Sequence, residues 1–396
     1  MLRRTFLAAA TAPLLSAVEP ARSHLFFSDT EAPRLRELGR TVLRARLENQ
    51  VAAALKNGPW SVTFKRPEGL NVAAGPNDYV SEAPYWFPDP TNPNGPYIRR
   101  DGVRNDARFN ANVGDMRAMS SATLALGLGS FCLGTPGAAD HASTILKTWF
   151  IDPRTRMNPN LEFGQMVRGH NTGRGTGIID TDTLIHCAQG VVLLELAGGF
   201  PADVAAGVRS WYSDYSHWLT TSQKGKEERD SGNNHATWWT AQLAAYASFT
   251  GNTAHREQAW QAYRRDLVPS QIRPNGSCPR EEARTRSLHY SSMNLDAFSL
   301  ICRLAQLDGV DLWNFRTKSG TGIATAVNYL LPYTLEPATW KHQEIGKYDA
   351  GSHYFVGLAG SALHDEKMLA AYQAIPRDNS LWGQFLDLVV RASAPV

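Results

Sequence analysis

The chain has 396 residues, 43% of them hydrophobic and 19% charged, with 40 Lys and Arg against 37 Asp and Glu. This balance excludes a disordered or fibrous chain, and a formal net charge of +3 gives no argument from charge alone for a nucleic-acid partner. Length accommodates one large domain or two ordinary ones, and eleven Trp with thirteen Tyr suit both core packing and the flat faces on which sugar rings stack.

Residues 1–23 read as an export signal, of the twin-arginine type. Arg3-Arg4 precede Phe6-Leu7 and a short apolar run that ends near Ala17. The run is too short to span a membrane as a mature helix, and no other stretch reads as apolar enough to do so. The mature part, 24–396, is expected to be a single soluble domain, exported to the periplasm or secreted, with no membrane partner. Cys132, Cys187, Cys278 and Cys302 are widely spaced, show no metal-type pairing, and are expected as buried free thiols.

From Pro33 to Leu55, the residues Leu35, Leu38, Val42, Leu43, Leu47, Val51 and Leu55 fall at helical spacing. The next segment, 64–112, carries Pro67, Pro76, Pro84, Pro88, Pro90, Pro93 and Pro96, which exclude a long helix or a central strand. It also carries Tyr79, Tyr85, Trp86, Phe87 and Tyr97, so it is expected as an ordered lid loop or cleft wall rather than a linker. Helical patterns then cover 114–133, 138–150, 181–198, 202–222, 234–250, 253–268, 288–308, 319–334, 352–374 and 380–392. Breakers such as Gly134-Thr135-Pro136-Gly137 and Gly198-Gly199-Phe200-Pro201 mark the joints. Ten or so antiparallel helices without a sheet predict an all-α fold: a single (α/α)n toroid, or incomplete barrel, of helical hairpins. Its groove would be lined by the polar loops 158–182, 228–236 and 272–290.

Two of those loops carry a set of groups suited to one reaction. The first holds Asn233-Asn234-His235, after Gly232 closes a polar loop that starts at Gln223. The second holds Glu281-Glu282-Ala283-Arg284-Thr285-Arg286-Ser287-Leu288-His289-Tyr290, with Ser287 as the expected N-cap of a helix. Both places would be helix N-termini, whose positive dipole end favours anions. A uronate sugar has its C5 hydrogen beside a carboxylate. To remove that hydrogen, an enzyme must neutralise the carboxylate, supply a base at C5 and protonate the leaving O4. Asn234 would donate its amide to the carboxylate and Arg284 would clamp it. His235 would donate when protonated or accept a proton when neutral. Tyr290 would be the base and then the acid, its pKa lowered by the neighbouring Arg and an imidazolium.

The motifs around these residues resemble the alginate lyase superfamily of α/α-toroid polysaccharide lyases. The similar segments are Asp78-Tyr79-Val80-Ser81-Glu82-Ala83-Pro84-Tyr85-Trp86-Phe87-Pro88-Asp89-Pro90, Pro96-Tyr97-Ile98-Arg99-Arg100-Asp101-Gly102, Asn158-Pro159-Asn160-Leu161 and Gly173-Arg174-Gly175-Thr176-Gly177-Ile178-Ile179-Asp180-Thr181. They cover roughly 75–350. The resemblance implies a toroid and metal-independent β-elimination without a cofactor. It implies Tyr290, His235, Asn234 and Arg284 as catalytic residues, with Asn234 and His235 beside the carboxylate and Tyr290 as base and acid. Glu282 stands where the family usually has an aliphatic residue.

Substrate contacts are expected from Tyr85 and Trp86 of the aromatic segment, Arg99 and Arg100, Arg174 of the glycine loop, Glu281, His289 and His342. Gly173, Gly175 and Gly177 have no preceding strand and no following lysine, so a nucleotide site is not expected. His170 and His353 read as structural. The expected partner is an acidic polysaccharide, poly-mannuronate or glucuronan, in which H5 and O4 lie on one face and a single tyrosine can serve both steps. A hydrolase on the same scaffold would need two carboxylates across the cleft, for which Asp180, Asp182, Glu281 and Asp349 are available but unpaired by motif. A non-catalytic binder of acidic polysaccharide would use the aromatic segment and leave Arg284 and Tyr290 idle.

Overall fold

The computed structural model describes residues 23–67 and 73–393. The expected export signal lies, apart from Ser23, outside the described residues. The helices in chain order are α1 (Ala32–Thr41), α2 (Arg44–Ala54), α3 (Ala111–Leu128), α4 (Ala138–Leu146), α5 (Leu184–Ala197), α6 (Ala202–Thr221), α7 (Gln223–Arg229), α8 (Asn234–Thr250), α9 (Thr253–Ala262), α10 (Val268–Gln271), α11 (Pro279–Glu282), α12 (Ser287–Leu307), α13 (Ile323–Leu335), α14 (Phe355–Leu363), α15 (Glu366–Ala374) and α16 (Leu381–Ser393). Four short strands accompany them: β1 (Val80–Glu82), β2 (Trp86–Phe87), β3 (Ile98–Arg99) and β4 (Phe163–Met166).

Six of the helices make an inner ring. α3 packs on α5, α5 on α8, α8 on α12, α12 on α14, α14 on α16, and α16 returns to α3, so the barrel closes. Seven others stand outside: α2 and α4 against α3, α6 and α9 against α8, α13 against α12 and α14, α15 against α14, and α1 against α16. This is the expected hairpin toroid. Inner helices are apolar on nearly every side because each has neighbours around it. Hence the run 175–197, which contains α5, is long and apolar enough to cross a membrane by length and composition alone, contrary to the sequence reading. In the fold 72% of its most apolar 18-residue stretch is buried. The tightest inner contact needs two glycines: a Cβ on Gly190 would sit 2.6 Å from the Thr123 carbonyl oxygen, and one on Gly127 would sit 2.5 Å from that of Gly190.

Several boundaries differ from the expected ones. The pattern at 352–374 is two helices, because His364 turns left-handed at φ 54 and Asp365 then caps α15 by accepting from Lys367 N and Met368 N. The polar loop expected from Gln223 is helix α7, capped by the Ser222 hydroxyl. The described part of the proline-rich segment has no helix before Ala111, as its prolines demand. It is tied down where β1 pairs in parallel with β4 and β2 pairs antiparallel with β3. From there its residues meet the end of the ring at which α8 and α12 begin.

Candidate active site

A cavity of about 430 Å³ opens at that end of the ring, within the size range of small-molecule sites. One wall comes from the proline-rich segment through Tyr85, Trp86, Arg99, Arg104 and Arg108. The opposite wall comes from the N-terminal ends of α8 and α12 through Asn234, His235, Arg284, His289 and Tyr290. The fold therefore brings together the two polar loops that lie about fifty residues apart in the chain.

At the start of α8, Asn233 is the N-cap, its Oδ1 accepting from His235 N. Asn234 is gripped from behind by Glu281, which accepts from Asn234 N and from Asn234 Nδ2, each at 2.7 Å. Glu281 is buried, and burial pushes its pKa up against the lowering effect of these bonds. It does not line the cavity, so it differs from the expected substrate contact: it orients Asn234 instead. One N–H of Asn234 is thus committed to Glu281, and the buried Asn234 Oδ1 has no partner. His235 presents Nδ1 to the buried Glu228 carboxylate at 2.6 Å, which leaves Nε2 as the other hydrogen-bonding atom of a cavity-lining ring.

The helix-terminus expectation needs correction. Glu281 already occupies the first free N–H of α8. At α12 the Glu344 carboxylate accepts from Leu288 N and His289 N at 2.9 and 3.2 Å. Ser287 is not the cap but the first helical residue, its hydroxyl donating to the Gln343 carbonyl at 2.6 Å. Both positive helix ends are answered by protein carboxylates.

Tyr290 and Tyr85 share a hydrogen bond between their hydroxyls at 2.7 Å. The Arg284 guanidinium lies over the Tyr290 ring, 3.8 Å from its centroid, and is fixed there by Asp101, which accepts from its Nε and Nη2 at 3.1 and 2.9 Å. Burial opposes the charge on Arg284, yet Asp101 raises its pKa overall. Burial opposes the charge on Asp101 too, but Arg284, Thr285 and Arg99 hold that carboxyl down at about 2. Tyr290 departs from the sequence reading. Burial, and then Tyr85, push its pKa up by more than Arg284 brings it down. With its pKa raised, Tyr290 is a neutral phenol at neutral pH.

The other expected contacts divide. Trp86 lines the cavity with its ring centroid 4.9 Å from that of His170. Arg99 lines it while bonded to Asp101, and Arg174 lines it from the glycine loop. His289 lines it as a neutral ring, because burial, with His353 and Arg286, lowers its pKa to about 3. Two residues are not brought to the cavity. Arg100 turns away over the Phe87 ring. His342 packs against Trp340 and faces Glu282 at 3.7 Å. The glycine loop is a packing device: a Cβ on Gly173 would strike the Glu162 carbonyl, and one on Gly175 would lie 2.7 Å from the Lys224 carbonyl of α7. This close approach seats Glu228 behind His235.

Of the carboxylates considered for a hydrolase, Asp180 is bonded by Tyr79, Ser81 and Gln165, Glu281 holds Asn234, and Asp349 caps its own turn. Asp182 alone of the four lines the cavity with an oxygen that has no partner; burial raises its pKa to about 6. Sequence reasoning missed Glu228, Asp101 and Glu344. Each acts on a residue from another element, and no motif announces such a contact.

A family model described as alginate lyase matches residues 64–340. Among solved structures, the chain is similar to an alginate lyase from Bacteroides ovatus, with 29% identity and a TM-score of 0.86 over 93% of this chain and 99% of that one. It is also similar in fold to alginate lyase A1-III from Sphingomonas species A1, with 15% identity and a TM-score of 0.57 over 86% and 93% of the two chains. A variant of A1-III complexed with a tetrasaccharide gives the same identity, TM-score and coverage. A comparison with curated proteins finds no match.

Proposed function

We propose that this chain, which belongs to the alginate lyase family and is a polysaccharide lyase, cleaves a β-1,4-linked polyuronate, poly-mannuronate or glucuronan, by syn β-elimination. The observation that carries this reading is the Tyr290 hydroxyl. It stands at the cavity 2.7 Å from the Tyr85 hydroxyl, with Arg284 over its ring. Tyr290 removes the C5 proton and returns a proton to O4. As a base it must first lose its own proton, which the Tyr85 hydroxyl takes up across their hydrogen bond while giving its own proton to solvent. The Arg284 cation favours the phenolate as it forms. Asn234 and His235 stand beside the sugar carboxylate. The free N–H of Asn234 and the Nε2 of a protonated His235 donate to it, so that charge can build on the enolate-like intermediate. Unsaturated uronate ends are the product.

Mannuronate and glucuronate differ only at C2 and offer H5 and O4 on the same face, so Tyr290 serves both; guluronate does not suit this geometry. Export, proposed from the Arg3-Arg4 segment, would place the enzyme where polymers are met. Incubation with poly-mannuronate, poly-guluronate and glucuronan, followed by absorbance of the unsaturated product, tests the reading and names the sugar. New reducing ends without that absorbance would replace elimination by hydrolysis. Binding without either signal would leave a carbohydrate-binding protein.

A further inference from the structure

The cavity is rich in donors and short of open acceptors. Seven arginines line it, Arg104 and Arg117 among them, and a guanidinium can only donate. Five carboxylates share the walls, and four have partners. Glu82 accepts from Arg168 Nε and from Phe109 N, each at 2.6 Å. Asp180 accepts from Tyr79, Ser81 and Gln165. Glu228 bonds His235. Glu227 is exposed, with Gln223 Nε2 donating to it at 3.3 Å. Asp182 is the fifth, and its buried Oδ1 has no hydrogen-bond partner.

No structural duty accounts for this carboxyl. Asp182 stands just ahead of α5, where a side-chain oxygen would normally cap open N–H groups, yet α5 starts without a side-chain cap. Burial raises its pKa to about 6 against the charge of Arg117 on α3; Asp180 adds to the rise and Thr183 N opposes it. The other titratable groups around it carry no charge. Tyr246 of α8 and Tyr354 ahead of α14 are neutral phenols, and His186, one turn along α5, is kept neutral by burial. A desolvated carboxyl without a partner destabilises the fold. Such groups are retained where a ligand completes them.

A 1,4-linked uronate carries two free hydroxyls besides its acid, at C2 and C3. Each hydrogen needs an acceptor once water is excluded, and the arginines offer none. Asn234 Oδ1 and Ser231 Oγ are also buried without partners. The first is assigned to the place beside the sugar acid, and the second is a hydroxyl that needs an acceptor of its own.

We propose that Asp182 accepts the hydrogen of a ring hydroxyl, O2 or O3, of the polyuronate in this cavity, and so selects among sugars. The assignment rests on the polyuronate reading above and deepens it, because Tyr290 and the groups beside the acid do not read C2 or C3. A contact at O2 separates mannuronate from glucuronate, whose O2 atoms point opposite ways; a contact at O3 does not.

The test uses the full chain with an oligomannuronate and its 2-deoxy and 3-deoxy forms, with binding measured by calorimetry on a Tyr290→Phe background. With Asp182 intact, one deoxy form should bind about 10- to 100-fold more weakly than the parent, as for a lost hydrogen bond to a charged group. Asp182→Ala should weaken the parent by as much and that deoxy form no further. Equal binding of all three oligosaccharides, which needs no change at Asp182, or losses that add fully, would overturn the proposal. Melting gives a second readout. The folded pKa lies above the unfolded 3.8, so the ionised carboxyl costs stability at pH 7 and that cost disappears below about pH 4. Asp182→Asn should therefore melt higher than wild type at pH 7 and equal to it at pH 4; a lower melting temperature at pH 7 would make Asp182 a structural residue and sink the idea. Hydroxyl-dependent binding without unsaturated product from wild type would refute the elimination reading alone. Unsaturated product with hydroxyl-independent binding would refute the role of Asp182 alone.

Discussion

Asp101 joins the proline-rich wall to Tyr290, the proposed base, and Asp101→Asn isolates that link. Its oxygens accept from Arg284 Nη2 and Nε at 2.9 and 3.1 Å and from the Thr285 hydroxyl at 3.0 Å. The asparagine keeps the shape but turns an N–H toward a guanidinium that cannot accept. The fall of the Asp101 pKa from 3.8 to about 2 corresponds to about 2.4 kcal/mol. With the side chain still 21% exposed, about 1–2 kcal/mol is the realistic figure. Because the folded pKa lies below the unfolded one, this stability is present above pH 3.8 and is lost as pH falls through about 2. Asp101→Asn should therefore melt about 1–3 °C lower at neutral pH, and the gap should close between pH 4 and 2. Arg284, released, no longer stays 3.8 Å above the Tyr290 ring, and kcat should fall about 10- to 100-fold, as for a group displaced by an ångström. The assay is unsaturated-uronate absorbance for Asp101→Asn, Arg284→Gln and the double variant, with melting of each. If Asp101 acts through Arg284, the double variant is little worse than Arg284→Gln. Fully additive losses, or a wild-type kcat in Asp101→Asn, would refute the reasoning.

Glu228→Ala should lower kcat/KM about 100-fold, and Glu228→Gln, which keeps an acceptor for His235 Nδ1, only about 10-fold, in line with partners that orient a reacting histidine; unchanged activity in the alanine variant would remove Glu228 from the site. Gly190→Ala should cost about 1–3 kcal/mol by overpacking α3 against α5, read as a lower urea midpoint at unchanged slope, and a wild-type midpoint would show that the inner ring yields there. His186 and His289 are lowered to about 3 by burial, so the unfolded chain takes up protons near pH 6.5 that the folded chain refuses. Stability should fall as pH drops from 6.5 toward 3, and His289→Gln should flatten that fall; a melting temperature constant from pH 7 to 4 would contradict it.

Much of the architecture was legible because toroid helices have long apolar patterns and glycine or proline joints. Their alternation in the chain is their alternation between inner and outer layers. The split at His364 was not legible, since a left-handed residue other than glycine leaves no pattern. Nor was α7, whose polar sequence from Gln223 resembles a loop until it packs beside Gly175. In the site, Tyr290, Tyr85, Asn234, His235 and Arg284 were readable as chemical types near breaks in helical patterns. Arg100, Glu281 and His342 looked equally suitable by type, yet face Phe87, Asn234 and Trp340.

The sequence by itself therefore determined the all-α toroid and the kinds of group at its mouth, because apolar spacing and turn residues are local properties of the chain. Tertiary structure alone decided their states. Tyr290 is a neutral phenol and not a phenolate, Arg284 and both helix ends are already answered by carboxylates, and Arg108 and Arg174 have no ion-pair partner among the described residues. These follow from burial and from partners up to 205 residues away, as between Tyr85 and Tyr290. Burial and long-range pairing set the balance of charge, and neither is a property of any segment read alone.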